Sequence, residues 1–95
     1  LTAGSVRIDD GAVRAIVQGG KSLLPVGIVD IQGRFERGAT ISVRTLAGQE
    51  IARGLGNYNS EDLRRILGQQ SGDIAEILGY DYGPEFIHRN KMALL

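Results

Sequence analysis

The sequence predicts a mainly β fold with short helices. Fourteen of its 95 residues are glycine and two are proline, about twice the usual ~7% share of glycine, which favours tight turns between short elements. Apolar and polar residues alternate along residues 40–45, as in a half-buried strand, and residues 50–55 are expected to form the strand that returns beside it. Helix signals replace strand signals after residue 57. A chain of this length forms one domain, so we expect residues 1–95 to share one core.

The chain opens with a predicted strand and helix. Residues 6–8 alternate, Asp9-Asp10 provides a helix cap, and an apolar stripe over 12–17 ends at Gly19-Gly20, which together predict a strand followed by a capped helix. Residues 23–31 are rich in β-branched side chains and predict a second strand.

A hairpin is predicted in the middle of the chain. Ala47-Gly48 separates residues 40–45 from residues 50–55, as a short turn between antiparallel strands does. Gly54 and Gly56 flank Leu55 and would let the strand bend or a partner approach closely; of these two we expect the bend. The middle of the chain is therefore expected to be antiparallel sheet.

Two short helices are predicted next. Residues 60–68 and 71–79 share the pattern Ser-x-Asp-(Leu/Ile)-x-x-Ile-Leu-Gly. In each segment the serine is expected to cap the helix, the aspartate to favour the first turn, and the glycine to end the helix in a left-handed conformation. A last strand is predicted over 85–89, continuing toward Leu94. The apolar positions of all these elements predict a core made of Ile8, Ile16, Leu24, Ile28, Ile31, Phe35, Ile41, Val43, Ile51, Leu55, Leu63, Ile66, Ile74, Ile77, Leu78 and Ile87.

Charge and cysteine content exclude several classes of protein. Eleven basic and eleven acidic residues give a formal net charge of zero, which excludes a strongly basic nucleic-acid binder. The balance divides into a net +2 for residues 1–57 and a net −2 for residues 58–95. The absence of cysteine excludes disulfides and thiolate metal sites and suits a reducing compartment. Because apolar runs are four residues or shorter, we expect a cytoplasmic protein with no membrane partner.

The sequence provides no catalytic or metal centre. One histidine and no cysteine cannot form a histidine zinc site or a Cys–His nucleophile, and His88 is expected to make a single structural hydrogen bond. Gly20-Lys21-Ser22 matches the end of a P-loop, but the required earlier glycine is replaced by Ala15, and a helix precedes the motif where a strand is needed. A contact of Lys21 with an anionic partner stays open.

Five separated blocks carry a family resemblance. They are residues 20–28, 33–38, 51–60, 78–80 and 87–89. In this order they resemble the C-terminal PUA domain of bacterial glutamate 5-kinases, over about residues 8–92. That family usually reads His-Arg-Asp-Asn where this chain reads His-Arg-Asn-Lys at 88–91.

The resemblance implies a PUA-type antiparallel pseudobarrel flanked by helices. It also implies that residues 1–95 are a single PUA domain, a fragment of a longer kinase whose N-terminal amino-acid-kinase domain is absent. That kinase domain binds ATP and magnesium and makes L-glutamyl 5-phosphate in the first step of proline biosynthesis. No cofactor and no catalysis are therefore expected of this fragment.

Two functions are expected from the resemblance. The first is an accessory or regulatory module that packs against its own kinase domain or a neighbouring subunit. The alternative is an RNA-binding module, as in the PUA domains of RNA-modifying enzymes. The general PUA pattern places RNA or anion contacts on the helix after the first strand, the following loop and the final strand, which here contribute Arg14, Lys21, Ser22, His88, Arg89 and Lys91.

Overall fold

The computed structural model describes residues 1–95 as one five-stranded sheet with three α-helices. The strands are β1 (Gly4–Ile8), β2 (Ile28–Gln32), β3 (Thr40–Arg44), β4 (Glu50–Leu55) and β5 (Met92–Leu94). The helices are α1 (Asp10–Val17), α2 (Ser60–Ile66) and α3 (Ile74–Leu78), and 3₁₀ turns cover Pro25–Gly27, Ser71–Asp73 and Arg89–Lys91. None of the helices is long and apolar enough to traverse a bilayer.

The sheet has the strand order β2-β1-β3-β4-β5. β2 folds back antiparallel to β1 on one side, whereas β3 returns on the other side and pairs parallel to β1. The β3–β4 hairpin and the β4–β5 pair are antiparallel. The mainly β fold is thus confirmed, with one parallel pair that joins its two antiparallel parts.

Local sequence signals explain the helix termini at both ends of the chain. Asp9 caps α1, since its side chain accepts a hydrogen bond of 2.8 Å from the Ala12 N–H. Gly79 ends α3 with φ near +86°, the left-handed conformation that glycine adopts without steric cost. Gly48 has φ near +92° in the β3–β4 turn. The predicted helix over 12–17 and the predicted hairpin are confirmed.

The predicted serine caps are wrong in both short helices. Asn59 caps α2 by accepting from the Asp62 N–H at 2.8 Å. Ser60 is buried instead, and its Oγ accepts from the Phe35 N–H at 3.1 Å. Ser71 begins a 3₁₀ turn, and its Oγ donates to the Pro84 carbonyl at 2.9 Å. Each hydroxyl therefore connects its helix to a distant loop, because the tertiary contact competes with the local one.

Two predicted strands are shorter than expected. Pro25 starts a 3₁₀ turn, so β2 begins only at Ile28; the proline ring fixes φ and suits a first helical turn. At the other end, Ile87 makes only an isolated bridge with Leu23, and a 3₁₀ turn over Arg89–Lys91 separates this bridge from β5. The continuous strands over 23–31 and 85–89 are therefore wrong.

The observed core differs from the predicted one in two ways: five predicted residues are not buried, and five buried residues were not predicted. Leu24 and Leu55 are 39% and 41% exposed; Leu24 follows the buried Leu23, and Leu55 lies between the buried Gly54 and Gly56. The side chains of Ile31, Ile51 and Ile77 are only partly buried. The buried residues that the sequence analysis missed are Val6, Leu23, Ala52, Tyr58 and Phe86.

Glu50 makes the one ion pair of the chain and predicts acid sensitivity. Two hydrogen bonds from Arg53, of 2.9 and 3.0 Å, and one from Ser42 lower the pKa of Glu50 from its ordinary 4.5 to about 2. Because the folded pKa lies below the unfolded one, the carboxylate stabilises the fold above pH 4.5, and this contribution is lost as the pH falls through 2.

We therefore expect Glu50→Gln to flatten the dependence of the urea midpoint on pH between about 4.5 and 2. Glu61→Gln is the matched control, since Glu61 is exposed and makes no hydrogen bond. Equal pH dependence in the two variants would contradict the role assigned to the Glu50 carboxylate.

Candidate functional site

Two segments that are far apart in sequence meet at one edge of the fold. The Leu23 N–H donates to the Ile87 carbonyl at 2.9 Å, and the Phe86 N–H donates to the Leu23 carbonyl at 2.8 Å. The Arg89 N–H donates to Ser22 Oγ at 2.8 Å. We call this meeting of residues 21–23 with residues 86–89 the terminal junction.

The terminal junction brings together four of the six residues suggested by the resemblance. Lys21 and Ser22 lie on one segment, and His88 and Arg89 lie on the other. Ser22 acts there as a hydrogen-bond acceptor for the backbone. Arg14 is exposed on α1 and makes no side-chain hydrogen bond or ion pair with the other five.

Four cationic side chains of this set have no partner in the chain. Each is exposed and makes neither an ion pair nor a side-chain hydrogen bond: Arg14, Lys21, Arg89 and Lys91. Unpaired exposed cations are available to phosphate or carboxylate groups of another molecule. The chain therefore offers positive charge at its terminal junction despite its zero net charge.

An apolar groove of about 440 Å³ lies between α1 and residues 21–27. Its lining includes the apolar residues Ala12, Ala15 and Leu23 and the charged residue Lys21. Gly27 packs directly against α1, since a Cβ there would lie 2.6 Å from the Ala12 Cβ. We call this surface the α1 groove.

A second concavity, of about 600 Å³, lies between four separate loops and turns. We call it the Arg37 cleft, and its lining residues are Arg37, Gly38, Leu55, Gly56, Asn57, Tyr82, Glu85, His88 and Lys91. It shares no residue with the α1 groove. The six residues suggested by the resemblance are thus divided, with Lys21 and Ser22 lining one concavity and His88 and Lys91 lining the other.

His88 makes the single hydrogen bond expected of it, but as a helix cap. Its Nδ1 accepts from the Asn90 N–H at 3.1 Å and caps the 3₁₀ turn over Arg89–Lys91. An accepting Nδ1 places the proton of the neutral imidazole on Nε2. Nε2 is therefore left as a donor.

Arg37 is fixed in place by its neighbours in the cleft. Its Nε donates to the carbonyl oxygen and to the Oδ1 of Asn57, both at 3.2 Å. Its guanidinium carbon lies 3.9 Å from the centre of the Tyr82 ring, within the range of a cation–π contact. The Asn57 Nδ2 donates to the Tyr82 carbonyl at 2.8 Å, so Asn57 holds both members of the stack.

A buried tyrosine hydroxyl supports the loop that carries Tyr82. The Tyr58 hydroxyl lies 2.6 Å from the Gly83 carbonyl, 3.2 Å from Asp81 Oδ1, and accepts from the Tyr82 N–H at 3.0 Å. Burial raises the pKa of Tyr58 above its ordinary value. The loop is therefore fixed by a neutral hydroxyl that donates and accepts.

The Tyr80 side chain ties the same loop to α2. Its hydroxyl hydrogen bonds to Asp62, and this bond raises the pKa of Tyr80 to about 12. The Tyr80 ring lies 5.5 Å from the Tyr82 ring, which in turn lies 5.6 Å from the Tyr58 ring. Three tyrosines thus form a continuous aromatic row beside Arg37.

We expect Tyr58→Phe to lower the free energy of unfolding by about 1–2 kcal/mol, because the Gly83 carbonyl and the Tyr82 N–H lose their buried partner. Amide exchange at residues 81–83 should accelerate. Tyr82→Phe is the control, since the Tyr82 hydroxyl makes no hydrogen bond and its ring stays in place. Similar stability losses in both variants would show that the Tyr58 hydroxyl does not support the loop.

A third, polar concavity of about 600 Å³ surrounds the start of α2. Its lining includes the two arginines Arg34 and Arg64 and the two glutamates Glu36 and Glu61, so its charges balance. Arg64 also donates to the Gly33 carbonyl at 3.1 Å. Arg34 is an exposed arginine on the same loop as Arg37, so it provides a matched control for substitutions of Arg37.

The sequence analysis missed three residues that form the Arg37 cleft. Arg37, Asn57 and Tyr82 lie 20 or more positions apart, and each belongs to a different loop. Arg37 and Asn57 do fall within two of the blocks that carried the family resemblance. No local spacing in the sequence indicates that these three residues come together.

Comparison with known families supports the resemblance. The family model for the PUA domain matches residues 4–78. The chain is 51% identical over 92 residues to a glutamate 5-kinase of Sodalis glossinidius and 52% identical over 92 residues to one of Pectobacterium carotovorum. Each alignment covers 97% of this chain but 25% of the relative, so the chain spans about a quarter of the length of these curated relatives.

Solved structures agree on the fold. A PUA domain from Aeropyrum pernix, in complex with tartrate, matches with a TM-score of 0.65 and 22% identity over 90% of this chain and 41% of that one. An archaeal box H/ACA sRNP Nop10–Cbf5 complex matches with a TM-score of 0.59 and 24% identity over 64% of this chain and 19% of that one. At these identities the likeness establishes the architecture.

Proposed function

The chain belongs to the PUA domain family, and from this premise we propose that it is an accessory domain of a glutamate 5-kinase. The observation that carries the proposal is an identity of about one half over nearly the whole chain with glutamate 5-kinases of several bacteria. The matched region is about a quarter of those enzymes. In this proposal the remaining three quarters bind ATP, magnesium and glutamate in the cytoplasm and perform the phosphoryl transfer.

The chain itself contributes no catalytic residue in this proposal. It carries one histidine, and that histidine caps a 3₁₀ turn. Its role is to pack against the kinase domain or a neighbouring subunit and to adjust their activity or assembly. Exposed apolar side chains are available for such packing, namely Leu24 and Val26 between α1 and β2 and Val29 in β2.

Deletion and reconstitution of the full enzyme test the accessory role. The full-length kinase is compared with a version that lacks the region equivalent to residues 4–95, in glutamyl 5-phosphate formation, magnesium dependence and particle mass. We expect the deletion to retain phosphoryl transfer and to change magnesium dependence or particle mass. Residues 1–95 are then added back as a separate chain. This control distinguishes loss of the domain's role from misfolding of the shortened enzyme. Identical behaviour of the two enzymes in all three measurements would exclude the accessory role.

The second candidate function is RNA binding. The observation that favours it is the terminal junction, which places the unpaired cations of Lys21 and Arg89 on adjacent segments. These residues are among those that the general PUA pattern assigns to RNA. Arginine and lysine that neutralise phosphates release counterions, so affinity would fall with salt.

Salt dependence distinguishes this candidate from the first. A structured RNA is titrated into the 95-residue chain between low and moderate salt. The double variant Lys21→Gln/Arg89→Gln should reduce the log–log slope by about 2 relative to the unsubstituted chain, whereas Arg34→Gln in the polar concavity should leave it unchanged. If RNA does not bind at low salt, or if both variants behave alike, the terminal junction is not an RNA interface.

A further inference from the structure

The Arg37 guanidinium is held in place but only partly used. Its Nε is bonded to Asn57, and the Tyr82 ring covers one face. Neither Nη nitrogen has a hydrogen-bond partner, and no carboxylate lies within ion-pair distance. An arginine fork that is fixed on one side and free on the other is suited to an oxyanion, which it can bind through two parallel hydrogen bonds.

Two more donors line the same cleft as Arg37. Lys91 has no partner for its ammonium group, and the Nε2 of His88 is a donor because Nδ1 is an acceptor. Arg37 belongs to the loop before β3, whereas His88 and Lys91 belong to the 3₁₀ turn before β5. Donors from two separate elements suit a tetrahedral anion, whose oxygens point in several directions.

The acidic residue of the cleft leaves the balance positive. Glu85 is the one carboxylate among the lining residues, and it makes no ion pair with Arg37, His88 or Lys91. Arg37 and Lys91 give the lining two positive charges against the one negative charge of Glu85. The apolar part of the lining comes from Leu55 and the Tyr82 ring, and a volume of about 600 Å³ is typical of a small-molecule site.

We propose that the Arg37 cleft binds the phosphate group of a small phosphorylated molecule, with Arg37 and Lys91 as the charged contacts. This site shares His88 with the terminal junction and no residue with the α1 groove, and it does not depend on the kinase assignment. A free phosphate ester and an RNA backbone both carry such a phosphate group. The experiment therefore contains an arm for each source.

Inorganic phosphate is the first probe, titrated into the ¹⁵N-labelled 95-residue chain. Ionic strength is kept constant with chloride, and acetate is titrated in parallel. We expect saturable shifts at the Gly38, Gly56 and Asn57 amides and at the Arg37 Nε–H, stronger for phosphate than for acetate. Ribose 5-phosphate should give the same pattern, and an RNA dinucleotide without terminal phosphates should not.

Matched arginine variants identify the contacts. Arg37→Gln and Lys91→Gln are each expected to weaken phosphate binding about tenfold, the equivalent of one charge-assisted hydrogen bond. Arg34→Gln, on the same loop but in the polar concavity, should bind within about twofold of the unsubstituted chain. Because the Lys91 side chain makes no hydrogen bond or ion pair in the fold, Lys91→Gln tests the proposal even if Arg37→Gln loosens the Asn57 contact.

Three outcomes would overturn the proposal. The first is a response to phosphate no larger than that to acetate at equal ionic strength. The second is equal binding by Lys91→Gln and Arg34→Gln. The third is a stronger response of the same amides to the RNA dinucleotide without terminal phosphates than to inorganic phosphate. That result would assign the cleft to an RNA backbone.

Discussion

Replacing Phe86 by alanine is expected to lower the free energy of unfolding by about 3–5 kcal/mol. Phe86 is fully buried, and its ring centre lies 6.3 Å from that of Phe35. Its backbone is bonded on both sides, to the Leu23 carbonyl and to the Asn57 N–H at 2.7 Å. These contacts prevent the surroundings from closing over the lost ring, so most of the cavity cost should remain.

Leu94→Ala is the matched control for this prediction. Leu94 lies in the same C-terminal segment, but it is 51% exposed on β5, and its truncation should change stability by about 0.5 kcal/mol or less. Urea unfolding of both variants by circular dichroism provides the comparison. If Phe86→Ala costs no more than Leu94→Ala, then Phe86 is not part of the core.

The Phe86 prediction concerns a region beyond the family match, which ends at residue 78. Ile87 is also fully buried, and β5 completes the sheet beside β4. Phe86 and Ile87 therefore belong to the core, and residues 92–94 belong to the sheet. A chain ending at Leu78 should fail to show a cooperative unfolding transition.

Elements with a complete local signal could be predicted from the sequence. The Asp9 cap of α1, the Gly48 turn and the left-handed Gly79 each depend on one residue and its immediate neighbours. Their backbone conformations follow from side-chain geometry that holds in most contexts. The resemblance then supplied the architecture that these elements share.

Features that depend on long-range partners could not be predicted in the same way. Ser60 had a good capping pattern, but it bonds to the Phe35 backbone 25 positions away. Tyr58 gave no apolar periodicity, and its burial depends on the partners that its hydroxyl finds at residues 81–83. Arg37 meets Tyr82 only because Asn57 holds both. These contacts have no signal within any one window of sequence.

Gly54 is singled out by the sequence, but its role in the structure differs from the predicted one. Its position beside Leu55 predicted a bend, but β4 stays paired there, with Gly54 opposite both Ile41 and Met92. A Cβ at this position would lie 2.5 Å from Ile87 Cγ2 and 2.8 Å from the Lys91 carbonyl oxygen. Glycine is needed here because the segment before β5 passes directly over the strand.

Gly54→Ala is therefore expected to lower the free energy of unfolding by about 3 kcal/mol, the upper end of the usual cost of overpacking, because backbone as well as side chain must move. The added methyl group should also weaken the β4–β5 pair, which faster amide exchange at Met92 and Leu94 would report. Gly72→Ala is the control: a Cβ at Gly72 meets nothing within 4 Å, and a smaller entropy of the unfolded chain should make that variant about 0.4–1 kcal/mol more stable. We therefore expect the same substitution to change the free energy of unfolding in opposite directions at the two positions. A Gly54→Ala variant as stable as Gly72→Ala would show that the close approach over β4 is not maintained in solution.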